Sequence, residues 1–207
     1  MELGYWNIKG LAELLRILLH YFKLEYTEFN PSSLEEAQQK FKSYHFSFPN
    51  LPYLVDGDVH LTESSAIPIY IAHKAGAHDF FGKQGLEHIH HAEILGVLRD
   101  IAPVISEAVR REDHVEFIGS KKDFFIRKFG DLSKKLSTNK FFFEQITYAD
   151  FFLFAVVRSY TILVNHLKLD NLIENFKNLN EHNSRISELS GVKEYIESEE
   201  AKKRPYL

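Results

Sequence analysis

Apolar residues recur along the first third of the chain in two different periods, and each change of period marks a new element. Leu3-Gly4-Tyr5-Trp6 predicts a short strand, and Leu14, Leu15, Leu18, Leu19 and Phe22, three and four apart, predict a helix over 11–22 with a buried face. Glu25 to Phe29 predicts a second short strand. Pro31-Ser32-Ser33 followed by early acids supplies the start signals of an irregular helical segment over 31–44. Leu51 to Val55 and Val59 to Thr62 flank Asp56-Gly57-Asp58 and predict a hairpin. Ser64 or Ser65 is placed to cap the helix after it. The order strand, helix, strand, helix, hairpin, helix defines a small α/β layer.

Beyond that point the two-residue alternation does not return. Gly76, Gly82 and Gly85 surround a Phe80-Phe81 pair, which sets a boundary: an α/β domain over 1–76, a linker over 77–86 and an all-α domain over 87–207. A long helical pattern from Glu87 to Asp113 runs through Ile94, Leu95, Leu98, Ile101 and Ile105, and Pro103 is expected to kink it or shift its register. Further helices are expected at about 119–138, 148–165 and 190–200. The start of the middle one is marked by Ile146-Thr147-Tyr148-Ala149-Asp150, a capping threonine three residues before an acid, with Ile146 placed as a hydrophobic staple.

Composition narrows the function classes. The chain has 207 residues and is 44% hydrophobic, enough for a sizeable core. Its longest apolar run, Phe151 to Val157, falls far short of the roughly 20 residues of a membrane span. With 25 basic and 29 acidic side chains the net charge is -4, and neither half has the basic excess of a nucleic-acid or anionic-membrane binder. The amino terminus enters patterned sequence without a secretory leader, so a cytoplasmic address is expected. Zero cysteine excludes disulfides, thiolate metal sites and a protein-borne thiol nucleophile. The cluster His88, His90, His91 lacks the four-residue spacing of a helical metal pair, and an exposed helix start is the expectation there.

Three places can hold chemistry. Tyr5 and Trp6 end the first strand just before the Gly10-Leu11 helix start, and ligands of small α/β domains gather at strand ends. Thr62-Glu63-Ser64-Ser65 passes from strand to helix, where free N–H groups suit a carboxylate, or simply serves as a cap. Phe48-Pro49-Asn50-Leu51-Pro52 heads a strand with an X-Pro bond of either isomer, leaving backbone groups free to pair with a bound peptide, or makes a plain strand-entry turn. Arg16, inside an apolar helix, is read as a structural ion pair.

Leu3 to Ala12, Phe48 to Leu54, Glu63-Ser64-Ser65-Ala66-Ile67 and Ile146 to Asp150 together resemble the cytosolic glutathione transferases, most closely the mu class with some sigma-like features. The resemblance spans the chain in order. It implies a thioredoxin-like domain followed by an all-helical one, and conjugation of a glutathione thiolate to hydrophobic electrophiles, with glutathione as co-substrate and no metal. Tyr5 matches the tyrosine that donates to the glutathione sulfur. Trp6 and Leu11 match residues lining the glutathione pocket, Lys40 a lysine that meets the glycyl carboxylate, Asn50 and Leu51 the segment pairing with the cysteinyl backbone, and Glu63 and Ser64 the holders of the γ-glutamyl end. Asp100, after a one-residue shift, matches an acid that reaches the neighbouring subunit's γ-glutamyl ammonium. Phe48 matches an interface aromatic, which implies a homodimer.

Several positions depart from the mu pattern. Glu63 replaces a glutamine, Glu36 replaces a pocket tryptophan, and Pro68 and Ile69 are expected to interrupt a helix where an interface arginine belongs. Phe143-Glu144 stands in place of Gly-Asn before the Ile-Thr cap. Asp100 to Phe117 lacks a tyrosine and carries Arg110 and Arg111 instead, and Leu207 falls short of the mu carboxy-terminal extension, so a more open acceptor pocket is expected. A non-enzymatic structural or ligand-binding protein of the same fold and a glutathione-dependent isomerase are the competing functional readings.

Overall fold

The structure is a computed structural model and describes residues 1–205. The chain forms two compact units: Met1–Ala77 with the segment from Leu189 onward, and His78–Glu188. In the first, β1 (Glu2–Gly4) is followed by a 3-10 turn (Gly10–Ala12), α1 (Glu13–Tyr21), β2 (Thr27–Phe29), α2 (Leu34–Phe41), the hairpin β3 (Tyr53–Asp56) and β4 (Val59–Thr62), and α3 (Ile67–Lys74). Among the described residues the strands make one sheet of order β2-β1-β3-β4, with β1 and β2 parallel and the other pairs antiparallel. The strand, helix, strand, helix, hairpin, helix order predicted from the apolar pattern is therefore the observed one.

Register decides what the sheet brings together. Gly4 lies opposite Tyr53, and Tyr53 opposite Thr62, so the chain leaving β1, entering β3 and leaving β4 meets at one sheet end. Leu3 and Leu54 of the sheet, Leu15, Ile17, Leu18 and Leu19 of α1 and Ile67 and Ile71 of α3 are all buried in the core of this unit. Ser33 caps α2 by accepting the Glu36 N–H, and the Glu36 carboxylate reaches back to Ser32.

At α3 the expectation is corrected. The helix starts at Ile67 with Ala66 as N-cap and no side-chain cap, so neither Ser64 nor Ser65 caps it. Pro68 does not interrupt it either. It sits in the first turn, where a missing N–H leaves no bond unmade.

The second unit holds α4 (Leu86–Arg110), α5 (His114–Ser120), α6 (Lys122–Leu136), α7 (Tyr148–His166), a 3-10 turn (Leu172–Asn175) and α8 (Lys177–Ser187). α4 runs through Pro103 with its buried stripe in register, from Leu98 and Ile101 to Ile105 and Ala108. Pro103 lies on the exposed face, where water can meet the carbonyl its ring leaves unpaired. α7 packs on α4 and α8 and is buried through Phe151, Phe154, Val157 and Val164. At its start the Asp150 carboxylate accepts the Thr147 N–H at 2.8 Å, the expected capping arrangement. Residues 78–86 belong to this unit: Phe80 is buried and its carbonyl accepts the Tyr148 N–H at 2.8 Å.

The last helices, α9 (Val192–Glu197) and α10 (Glu199–Lys203), pack with the first unit, whereas the sequence pattern grouped them with the helices before. α9 lies against α1, and the approach is close: a Cβ on Gly191, whose φ is 82°, would stand 2.2 Å from the His20 carbonyl oxygen.

Candidate active site

Tyr5 follows β1 directly and is fixed from both sides. Its N–H donates to the Phe29 carbonyl at 3.0 Å, and its carbonyl accepts Asn30 Nδ2 at 2.9 Å. The ring is buried, and its oxygen accepts the Leu11 N–H at 3.1 Å. The phenol proton is thereby left to donate to a second group, and the bond it accepts polarises it for that purpose. Gly10 makes the approach possible. Its φ is 41°, and a Cβ there would lie 2.6 Å from the Tyr5 oxygen, so both the backbone conformation and the space demand glycine.

The loop from Trp6 to Leu11 is tightly held. The Trp6 carbonyl accepts the Ile8 N–H at 2.7 Å, and Arg16, fully buried, donates to the carbonyls of Ile8 at 2.9 Å and Lys9 at 3.2 Å. Arg16 also forks onto Glu28, 3.1 Å from Nε to Oε1, which is the structural ion pair expected of it. Burial pushes the Glu28 carboxyl upward, but Arg16 and then Arg204 outweigh this and hold it below the usual carboxylate range. Trp6 is half-buried and Leu11 exposes its side chain beside the Tyr5 hydroxyl.

At the same sheet end the Leu51-Pro52 peptide is cis. The Leu51 N–H donates to Asn50 Oδ1 at 2.9 Å, so a peptide pairing there displaces that side chain. Thr62 Oγ1 ties this loop to β4 through the Phe48 carbonyl at 2.8 Å. Glu63, exposed, takes φ of 75°, and its carbonyl accepts the N–H groups of Ala66 and Ile67 as the chain turns into α3. A left-handed non-glycine residue costs roughly 1–2 kcal/mol, and such strain concentrates at ligand sites. Ser64 follows it, half-buried, with its hydroxyl not used in a helix cap.

Two of the expected glutathione contacts, Lys40 and Asp100, are ion-paired with other side chains. The Lys40 ammonium bonds Glu2 at the start of β1 at 3.1 Å and lies over the Phe29 and Tyr44 rings. Glu2 also accepts from Tyr44 at 3.0 Å and Tyr53 at 2.6 Å; burial raises its carboxyl, yet the Tyr53, Lys40 and Tyr44 bonds together hold it below the ordinary value. Asp100 stands on α4 of the second unit, ion-paired with Lys128 of α6 at 2.5 Å. Sequence reasoning missed Asn30 and Arg204. Neither carries a local signal, because each acts through a contact distant along the chain: Arg204 with Asn7, 197 residues apart, is the extreme case, at 3.2 Å.

The histidine cluster is partly reassigned. His88 and His90 are exposed, bonding the Phe81 carbonyl and Glu93, but His91 is a core residue that accepts the Ala149 N–H at 3.2 Å. Burial pushes its pKa down to about 4, and His88 adds to the effect.

With this geometry in place, comparison with known proteins is decisive about family. Residues 1–73 match the model for the glutathione S-transferase N-terminal domain and residues 102–199 that for the glutathione S-transferase C-terminal domain. The chain is 29% identical to glutathione S-transferase 2 of Gallus gallus, over 99% of this chain and 93% of that protein. It is 30% identical to glutathione S-transferase Mu 4 of Homo sapiens, over 96% and 91%. A solved glutathione S-transferase, Blo t 8, superposes with a TM-score of 0.80 at 25% identity, covering 100% of this chain and 96% of that one. The chain belongs to the glutathione S-transferase family.

Proposed function

We propose that this transferase conjugates glutathione to hydrophobic electrophiles, and that the Tyr5 hydroxyl donates its hydrogen bond to the glutathione sulfur. A free thiol titrates near 8.5, so a donor that favours the thiolate raises the nucleophile available at neutral pH. The observation that carries this reading is the Tyr5 oxygen, which accepts the Leu11 N–H while its own proton is free to be donated. The cis-proline segment at Leu51 and the strained Glu63-Ser64 turn share its sheet end and supply backbone and polar groups for a peptide-like ligand. Trp6 and Leu11 complete the proposed pocket. In the same proposal Lys40, which also pairs with Glu2, meets the glycyl carboxylate, and Asp100 serves the neighbouring subunit's γ-glutamyl ammonium.

A homodimer working in the cytoplasm belongs to the same proposal. Supporting it, Phe48, the residue that matches an interface aromatic, exposes 73% of its surface and is accessible to a partner. Glutathione binding and conjugation of an activated aryl halide by the wild type and Tyr5→Phe test the catalytic reading. Binding without conjugation across a panel of electrophiles favours a non-enzymatic binding protein, and turnover of a carbonyl or endoperoxide substrate without net thiol consumption favours an isomerase. Absence of binding removes both enzyme readings.

A further inference from the structure

The segment carrying Arg204 returns to the first unit and meets the loop that leads from Tyr5 to Leu11. Arg204 is almost fully buried, at 4% exposure. Its Nε donates to Asn7 Oδ1 at 3.2 Å, Nη1 to Glu28 at 3.2 Å and Nη2 to Glu200 at 2.7 Å. Its carbonyl accepts Lys9 Nζ at 2.5 Å, and the next carbonyl, of Pro205, accepts the Lys9 N–H at 2.7 Å. Tyr195 lies near enough to act on its charge, and the acids around it hold the guanidinium protonated despite burial.

These bonds converge on one short stretch. Arg204 and Arg16 share Glu28, and with Lys9 as intermediary they hold Asn7, Ile8 and Lys9 in succession. The next residue is Gly10, pressed against the Tyr5 hydroxyl, and the one after is Leu11, whose N–H bonds it. A buried guanidinium is costly unless its donors are met, and a simple staple between helix and sheet can be made from apolar groups. Here one donor, Nε, and the carbonyls of Arg204 and Pro205 are directed at Asn7 and Lys9 of the loop behind the tyrosine, while a second donor shares Glu28 with Arg16.

We propose that Arg204 is a positioning residue for Tyr5: it clamps the Asn7–Leu11 loop so that the Leu11 N–H stays on the phenol oxygen and the phenol proton stays aimed at the bound sulfur. The proposal rests on Tyr5 being the thiolate donor. It distinguishes Arg204 from a stability contact because loosening the clamp alters the sulfur's titration, whereas loss of a stability contact does not.

The test uses the full chain with glutathione and an activated aryl halide, reading kcat, KM for glutathione and the ultraviolet thiolate absorbance of the bound tripeptide against pH. Arg204→Met is expected to lower kcat about tenfold with KM for glutathione little changed, and to raise the bound-thiol midpoint by about one unit, the same energy expressed twice. Arg204→Lys recovers part of both. In a Tyr5→Phe background Arg204→Met produces no further shift, because its route runs through the phenol. If Arg204→Met does not fold, Asn7→Ala and Lys9→Met remove one loop contact each and are expected to shift the midpoint in the same direction by about half a unit. The proposal is overturned if these variants lower Tm while leaving the thiol titration unmoved, or if the shift persists undiminished in the Tyr5→Phe background. Failure of the underlying reading looks different: Tyr5→Phe alone then titrates as the wild type does.

Discussion

Each unit buries a carboxylate inside a polar network, and the two networks do different work. Asp150, fully buried in the second unit, accepts the N–H groups of Phe142 and Thr147, the Thr147 hydroxyl and His182 Nε2. Its donors stop there, at a helix start in the core, and His182 Nδ1 has no partner among the described residues. Glu28 of the first unit is met by two arginines that also donate into the Asn7–Lys9 loop. A carboxylate whose partners end on a cap fixes where a helix begins. One whose partners reach onward fixes a loop, and here that loop supports the Tyr5 hydroxyl.

This contrast can be broken at several points. Asp150→Ala leaves His182 and two N–H groups without their acceptor, and an unfolding free energy lower by about 3–5 kcal/mol is expected in urea titration. A loss under about 1 kcal/mol would show that the core network is dispensable. His91 provides a pH test in the same unit. Its folded value near 4 lies below the ordinary 6.5, so the unfolded chain binds the proton first and stability falls as pH drops from 6.5 toward 4. About 3 kcal/mol is expected to disappear across that window, and His91→Gln should flatten it.

In the first unit smaller stability effects accompany larger functional ones. Gly10→Ala forces a side chain into a left-handed position beside the Tyr5 oxygen, with about 1–2 kcal/mol of stability lost and conjugation reduced more than about tenfold. Equal, small losses of stability and rate would mean that the loop tolerates the methyl group. Glu2→Gln removes the partner of Lys40 at a partly buried site and should cost about 1 kcal/mol at pH 7. Because the Glu2 carboxyl is held below 4.5 in the fold, its contribution is present above that value and vanishes as pH falls through the folded one. Acid titrations of wild type and variant should therefore converge at low pH.

The order of elements, the hairpin, the α7 cap and Tyr5 at a strand end were legible because each depends on neighbours a few residues away. Helix α8 was not, since its buried face alternates Leu179 and Ile186 with His182 among asparagines and serines, which conceals the apolar spacing. The grouping of α9 and α10 with the α/β unit was also hidden. It rests on Gly191 against His20, Tyr195 against Glu13 and Arg204 against Glu28, contacts with no local periodicity. The pairing of Lys40 with Glu2, which also accepts from Tyr44 and Tyr53, has no signal in the sequence either, because Glu2 lies 38 residues away.

The central claim is that Tyr5 holds the sulfur as thiolate, and the titration of glutathione bound to the wild type and to Tyr5→Phe addresses it directly. The wild-type midpoint should lie well below the free thiol value near 8.5, with Tyr5→Phe returning toward it and losing about 10²–10³-fold in conjugation rate at neutral pH. Identical midpoints and rates in the two proteins would contradict the claim.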